Sequence, residues 1–311
     1  MPTISTMLQT ITAPFRWCDR QLDQTGMYRV VTYALLFLTL TSLALAAWGL
    51  SNYTLTEQLL SLTAAVVSAL VVNVLIAKLT GIHANHESAL ITALIIFFLF
   101  PPGFALTDHL YIAAASAIAM LSKYVLVWRK QHIFNAAALG AVALSLPYIY
   151  EAWWWIASPE MFLPLLVAGA AVVQKIRRWP MVIAFIGIGF AVFTLDTGEF
   201  SADTLWRYFI TGPALFLAFF MLTEPFTTPP TERLRIGYAV LVAVLMNTTL
   251  LADYVAMTPE LALVIGNAVF FPATLRQKLI LPFQERIELA TNTYEYIFEK
   301  PAGMRYQPGQ Y

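Results

Sequence analysis

A lysine, a histidine and an asparagine stand close together in the stretch Ser122-Lys123-Tyr124 to Gln131-His132-Ile133-Phe134-Asn135, with Arg129 and Lys130 between them. A basic turn followed by a helix that opens on His132 and Asn135 offers positive charge and free N–H groups at one place. That suits a phosphate or the electron-rich edge of a ring. The same residues also read as helix capping beside ordinary cytoplasmic positive charge. A second group is Thr223-Glu224-Pro225-Phe226-Thr227-Thr228-Pro229-Pro230, where a helix stops at Glu224-Pro225 among hydroxyls. It reads either as a cofactor or ion contact at a broken helix end, or as a proline-stopped helix with a polar loop. His83, His86 and Glu87 form a weak metal pattern and are read as a solvated loop, so no metal site is expected. Trp153-Trp154-Trp155 fits an interfacial aromatic belt. No glycine-rich phosphate loop or catalytic triad occurs, and no catalytic residue is assigned.

The elements that must position these groups are membrane helices. Hydrophobic residues make up 59% of the 311 residues and charged residues only 12%, about half the ~25% of a soluble domain. Such a chain cannot cover itself with polar side chains, and lipid is the solvent that fits. The one cysteine, Cys18, excludes an internal disulfide. Net charge is zero, and no nucleic-acid partner is expected.

The expected fold class is an all-α polytopic membrane protein of about ten spans, with 1–27 as an amphipathic cytoplasmic segment. The spans are 28–50, 57–79, 87–100, 109–128, 132–150, 161–174, 181–195, 204–222, 234–251 and 258–271. Several are short. Fourteen residues reach roughly 21 Å at 1.5 Å per residue, less than the ~30 Å hydrocarbon core, so half-helices continued by irregular backbone are expected. Lys and Arg fall on one side of this topology, Arg207 alone excepted, and place both ends in the cytoplasm.

Span three matches span eight at an offset of 125, pairing Ala89 with Ala214, Leu90 with Leu215 and Ala93 with Ala218; Asn135 in span five pairs with Asn267 in span ten. Five spans separate the partners, so the halves form a 5+5 inverted repeat. Spans three, five, eight and ten then build a polar centre where the halves meet. After Pro282 the pattern alternates through Arg286 to Ala290 and Thr293 to Glu299, which reads as short strands. Residues 28–280 are therefore taken as the membrane domain, and 281–311 as a linker with the first strands of a further, truncated domain.

Three ordered motifs carry a resemblance: the helix from Ser88 to Pro102, SKYVLVWRKQHIFN from Ser122, and FFMLTEPFTTPP from Phe219. Together they resemble the NqrB/RnfD family, the related membrane proteins of two bacterial complexes, the sodium-pumping NADH:quinone oxidoreductase and the Rnf ferredoxin:NAD oxidoreductase. The tail to Pro308-Gly309-Gln310-Tyr311 resembles the opening of a ferredoxin-reductase-type FAD domain.

The resemblance implies a bacterial inner-membrane protein that passes electrons from NAD(P)H, through FAD in the C-terminal domain, to a flavin in the helical core. That flavin is FMN or riboflavin, lined by Lys123, His132, Asn135, Thr223, Glu224 and Asn267. Lipid, NAD(P)H and other redox subunits are the implied partners. The family's threonine motif for covalent FMN is missing here. The nearest look-alike, Ser201-Ala202-Asp203-Thr204, lies in another loop and makes Thr204 a remote candidate, so the flavin is expected without a covalent bond. The alternative function is a channel or transporter for a small polar solute built on the same repeat.

Overall fold

The computed structural model describes residues 21–129, 131–249, 256–275, 281–290 and 293–300. Most of the amphipathic segment expected over 1–27, and the Pro-Gly-Gln-Tyr tail, lie outside them. The chain forms two compact units divided between Thr274 and Leu275.

The first unit is helical: α1 Met27–Ala47, α2 Leu55–Thr80, α3 His86–Leu99, α4 Leu106–Val125, α5 Ala136–Ser145, α6 Pro159–Ile176, α7 Trp179–Thr197, α8 Ala202–Phe209, α9 Ala214–Phe216, α10 Glu232–Asn247 and α11 Pro259–Thr274. A π-helical turn, Leu217–Met221, continues α9. Four helices (α1, α2, α6 and α7) are long and apolar enough to cross a membrane, and α8 with α9 makes a fifth if the pair, bent by 45°, is one span. These apolar helices make the chain a membrane protein.

Local chemistry sets the boundaries. Thr54 and Glu57 form a capping box that opens α2. Asn85 accepts from the Ser88 N–H to start α3, and Asn135 accepts from the Ala138 N–H to start α5, each at 3.0 Å. α3 ends before Pro101-Pro102, which cannot continue a helix.

The expected span over 132–150 is corrected: it is no single helix. Val127–Trp128 (β1) pairs antiparallel with Gln131–His132 (β2), and only the ten residues of α5 are helical. Arg129 turns the hairpin with a positive φ of 50°. The expected span over 204–222 is broken between Phe209 and Ala214, at Gly212-Pro213. Spans six and seven are longer than expected, 18 and 19 residues, because each starts with a proline in its first turn and runs on into polar residues.

α3 is buried from Ala93 to Leu99 on every side and forms the centre of the unit. Small residues let its neighbours close in. Ser61, Ala65, Ala69, Asn73 and Ala77 recur every fourth residue along the buried face of α2, which packs on α4. Gly140 of α5 lies so close to α4 that a Cβ there would stand 2.4 Å from the Ala115 carbonyl oxygen.

The second unit contains one described hairpin. β3 (Phe283–Ala290) pairs antiparallel with β4 (Thr293–Phe298), as the alternating pattern predicts.

Candidate functional site

The three motifs converge on one cavity. It is lined by Tyr28 of α1, Ser88 and Thr92 of α3, Lys123 of α4, His132 and Asn135 ahead of α5, and Thr223, Glu224 and Phe226 after the π turn. Its volume is about 70 Å³, room for several waters at ~10–15 Å³ of probe-occupied space each.

Lys123 approaches from the last turn of α4 and is met by the first turns of α3. Its Nζ donates to the Ser88 carbonyl at 3.0 Å, the Ser88 hydroxyl at 2.8 Å and the Thr92 hydroxyl at 2.6 Å. An ammonium has three protons, and all three are used on neutral acceptors. No ion pair within 4.0 Å joins it to Glu224, though both side chains line the same cavity. A partly buried charge with no counter-charge within 4.0 Å among the described residues is costly in lipid and makes Lys123 a candidate functional position.

Glu224 is fixed from the opposite wall. Its Oε2 accepts from Asn135 Nδ2 at 2.8 Å, and the Thr227 hydroxyl lies 3.5 Å from it. Asn135 Nδ2 also donates to the Met221 carbonyl at 3.2 Å. The Asn135 backbone N–H donates to Asn267 Oδ1 at 2.8 Å, and Asn267 Nδ2 donates to the fully buried Tyr238 hydroxyl at 2.7 Å. The two asparagines thus meet, yet they are not equivalent: Asn135 caps α5, whereas Asn267 sits within α11.

Arg178, at the start of α7, holds the Thr223–Thr228 segment. Its Nη1 donates to the Thr223 carbonyl at 2.7 Å and to the Thr228 hydroxyl. His132 packs edge-on to Phe226, with ring centroids 5.6 Å apart, and its buried Nδ1 has no hydrogen-bond partner.

Five of the six expected residues line the cavity: Lys123, His132, Asn135, Thr223 and Glu224. Asn267 lies one hydrogen bond behind it. Thr204 is elsewhere, buried in the first turn of α8, where its hydroxyl donates to the Glu199 carbonyl at 3.1 Å. Sequence reasoning missed Thr92, Arg178, Tyr28 and Tyr238. Thr92 follows Ser88 by one helical turn, a spacing that marks a shared face; nothing local singles out the other three. Among the described residues no cluster of metal-binding side chains occurs.

The lining suits the ring of a flavin in its chemistry. Lys123, His132, Asn135 and Glu224 would supply polar and charged groups to such a ring, and Phe220, Phe226 and Tyr28 flat aromatic surface. The volume is smaller than the ~300–1,000 Å³ usual for pockets that enclose ring systems, so a flavin would require the lining to widen.

No family model matches the chain, and no curated protein sequence matches it.

Proposed function

We propose that this chain is the membrane subunit of a flavin-dependent NAD(P)H oxidoreductase and passes electrons through a flavin, FMN or riboflavin, held without a covalent bond in the cavity. The observation that supports the reading is the convergence of its three sequence motifs on one cavity whose apolar lining carries a few polar groups. When bound, the flavin supplies one- and two-electron chemistry. The chain's own residues bind and orient it. Lys123 would offer positive charge to a reduced ring and His132 a ring N–H, Asn135 and Glu224 would fix the polar side, and Arg178 would keep the Thr223–Thr228 segment in place.

Ten membrane-crossing segments in a 5+5 inverted repeat, with both ends in the cytoplasm, form the proposed scaffold. Recurring pairings support the repeat. α2 packs on α4 as α7 packs on α10, and α4 packs on α5 as α10 packs on α11; α1 meets α6 and α5 meets α11, the self-pairs expected at an axis between halves. The β3–β4 hairpin is proposed as the start of a cytoplasmic FAD domain that takes electrons from NAD(P)H.

The packed core favours electrons over solutes. Phe97, Phe98 and Phe216 are fully buried at the centre of the first unit. A solute needs an open path there, and an electron does not.

Flavin analysis of the protein purified in detergent tests the reading. The expected result is flavin in excess of one FAD per chain, released by denaturation alone. Protein with no such flavin, together with NADH-independent solute flux in liposomes, would favour the transporter.

A further inference from the structure

Arg207 is the one basic residue that falls on the far side of the expected topology. It lies in α8, just ahead of the break at Gly212-Pro213, and lines a second cavity of about 280 Å³. Among the described residues, the walls include Phe193 and Asp196 of α7, Arg207, Pro213 at the break, Met246 near the end of α10 and Met257 ahead of α11. This cavity is larger than the first and close to the lower end of the ~300–1,000 Å³ usual for small-molecule sites.

The fold holds Arg207 in place. Gly212 turns back on the end of α8 so closely that a Cβ there would stand 2.5 Å from the Arg207 carbonyl oxygen. The side chain is held as well. Its Nε meets Asp203, one turn earlier, at 2.8 Å, and its guanidinium lies over the Phe193 ring, 5.9 Å from the centroid. Nε carries one of the five guanidinium N–H groups; those on the terminal nitrogens are the ones that grip phosphate. Asp196 lines the same cavity. Its Oδ1 accepts from the Thr249 backbone N–H at 3.0 Å and from the Thr249 hydroxyl at 2.8 Å. Asp196 and Arg207 make no ion pair with each other within 4.0 Å.

Opposite charges that line one cavity without pairing suit a ligand that carries both signs. A plain anion would meet Asp196 and an arginine already offset by Asp203. A plain cation would meet Arg207. The positive group needs protons of its own, because a carboxylate only accepts: a primary ammonium can donate to Asp196, and a quaternary one cannot. Lipid is at hand. Leu195 and Trp206, which precede Asp196 and Arg207, are exposed, as is Phe200 between them in the chain. In a membrane protein such side chains rest in lipid, the aromatic ones at the level of the head groups. Met246, Met257 and Pro213 add an apolar wall that suits the glycerol end of a lipid.

We propose that this cavity binds the head of a phosphoethanolamine lipid, with the phosphate on Arg207, the ammonium on Asp196 and the acyl chains outside along the helices. The binding is independent of the flavin reading. The leaflet, the one away from the termini, follows from the proposed topology.

Delipidated protein in detergent, given lipids of equal chain length with phosphoethanolamine, phosphocholine or phosphoglycerol heads, tests this. Native mass spectrometry counts the bound lipid, and thermal unfolding reads the stabilisation. The expected result is one phosphoethanolamine lipid per chain, bound at least severalfold more tightly than the other two. Arg207→Gln and Asp196→Asn should each weaken it about tenfold, as loss of one charge-assisted hydrogen bond would. Arg233→Gln removes an exposed cation at the other end of α10 from Met246 and should change nothing.

Binding that ignores the head group would overturn the proposal, and that comparison needs wild-type protein alone. So would full binding in both cavity variants, or an equal loss in Arg233→Gln, which would mean a general attraction of charge. Soluble phosphoethanolamine that protects as well as the lipid would overturn it too, and would make the cavity a site for a small zwitterionic solute.

Discussion

Asn135 joins more of the site than any other residue. Its Oδ1 caps α5, its Nδ2 donates to Met221 and Glu224, and its backbone N–H donates to Asn267. Asn135→Ala removes a cap worth about 1 kcal/mol and two donated bonds worth about 1 kcal/mol each. Thermal unfolding in detergent is expected to fall accordingly, and an unchanged midpoint would contradict the network. Thr204 carries the opposite prediction. Its hydroxyl is spent on the Glu199 carbonyl, so Thr204→Val should leave the flavin content unchanged; loss of flavin would show a covalent bond there. The polar part of the site was legible at this scale because its groups stand out against apolar helices: a lysine inside a helix, a histidine and asparagine before a helix, an acid before a proline. Tyr238 and Tyr28 were not legible, since a tyrosine in an apolar helix looks the same whether it faces lipid or a buried asparagine.

Among the elements, α5 is the one most dependent on close approach. Its Gly140 packs against the Ala115 carbonyl of α4, and backbone has no flexible end to move aside. Gly140→Ala is therefore expected to push α4 and α5 apart and to destabilise by about 1–3 kcal/mol, the usual range for overpacking. Unfolding in detergent reads the loss, and stability equal to wild type would show that the helices are not so closely seated. The end of α3 was readable at Pro101-Pro102. The break between α8 and α9 had its signal too, in Gly212-Pro213, but the apolar run that follows hides it from a hydropathy reading. The β1–β2 hairpin and the π turn leave no such trace. Two-residue strands are too short for a period to register, and a π turn differs from an α turn only in which carbonyl each N–H reaches.

For the whole molecule, hydropathy gave the class at once, because only lipid accommodates so few charges. The count of ten spans stays part of the proposal, since α3, α5 and α11 are only 14, 10 and 16 residues long. The proposed inverted topology places the Arg177-Arg178 turn and the Glu232–Arg235 segment on the side of both termini, and Glu199 on the other. Single cysteines introduced at these positions into protein lacking Cys18 should follow that division when labelled from outside intact cells. Labelling at Arg233 and Glu199 from the same side would contradict it. The proposed occupant of the cavity is a flavin. The direct measurement is the non-FAD flavin released per chain from wild-type protein and from Lys123→Met, compared at equal yield of folded protein. Turning one Lys123 proton from Ser88 or Thr92 to the ring would give a charge-assisted hydrogen bond of about 1.5–3 kcal/mol, so the variant is expected to bind flavin about tenfold more weakly and to lose most of it on purification. Wild-type protein free of such flavin, or a Lys123→Met variant that retains all of it, would contradict the claim.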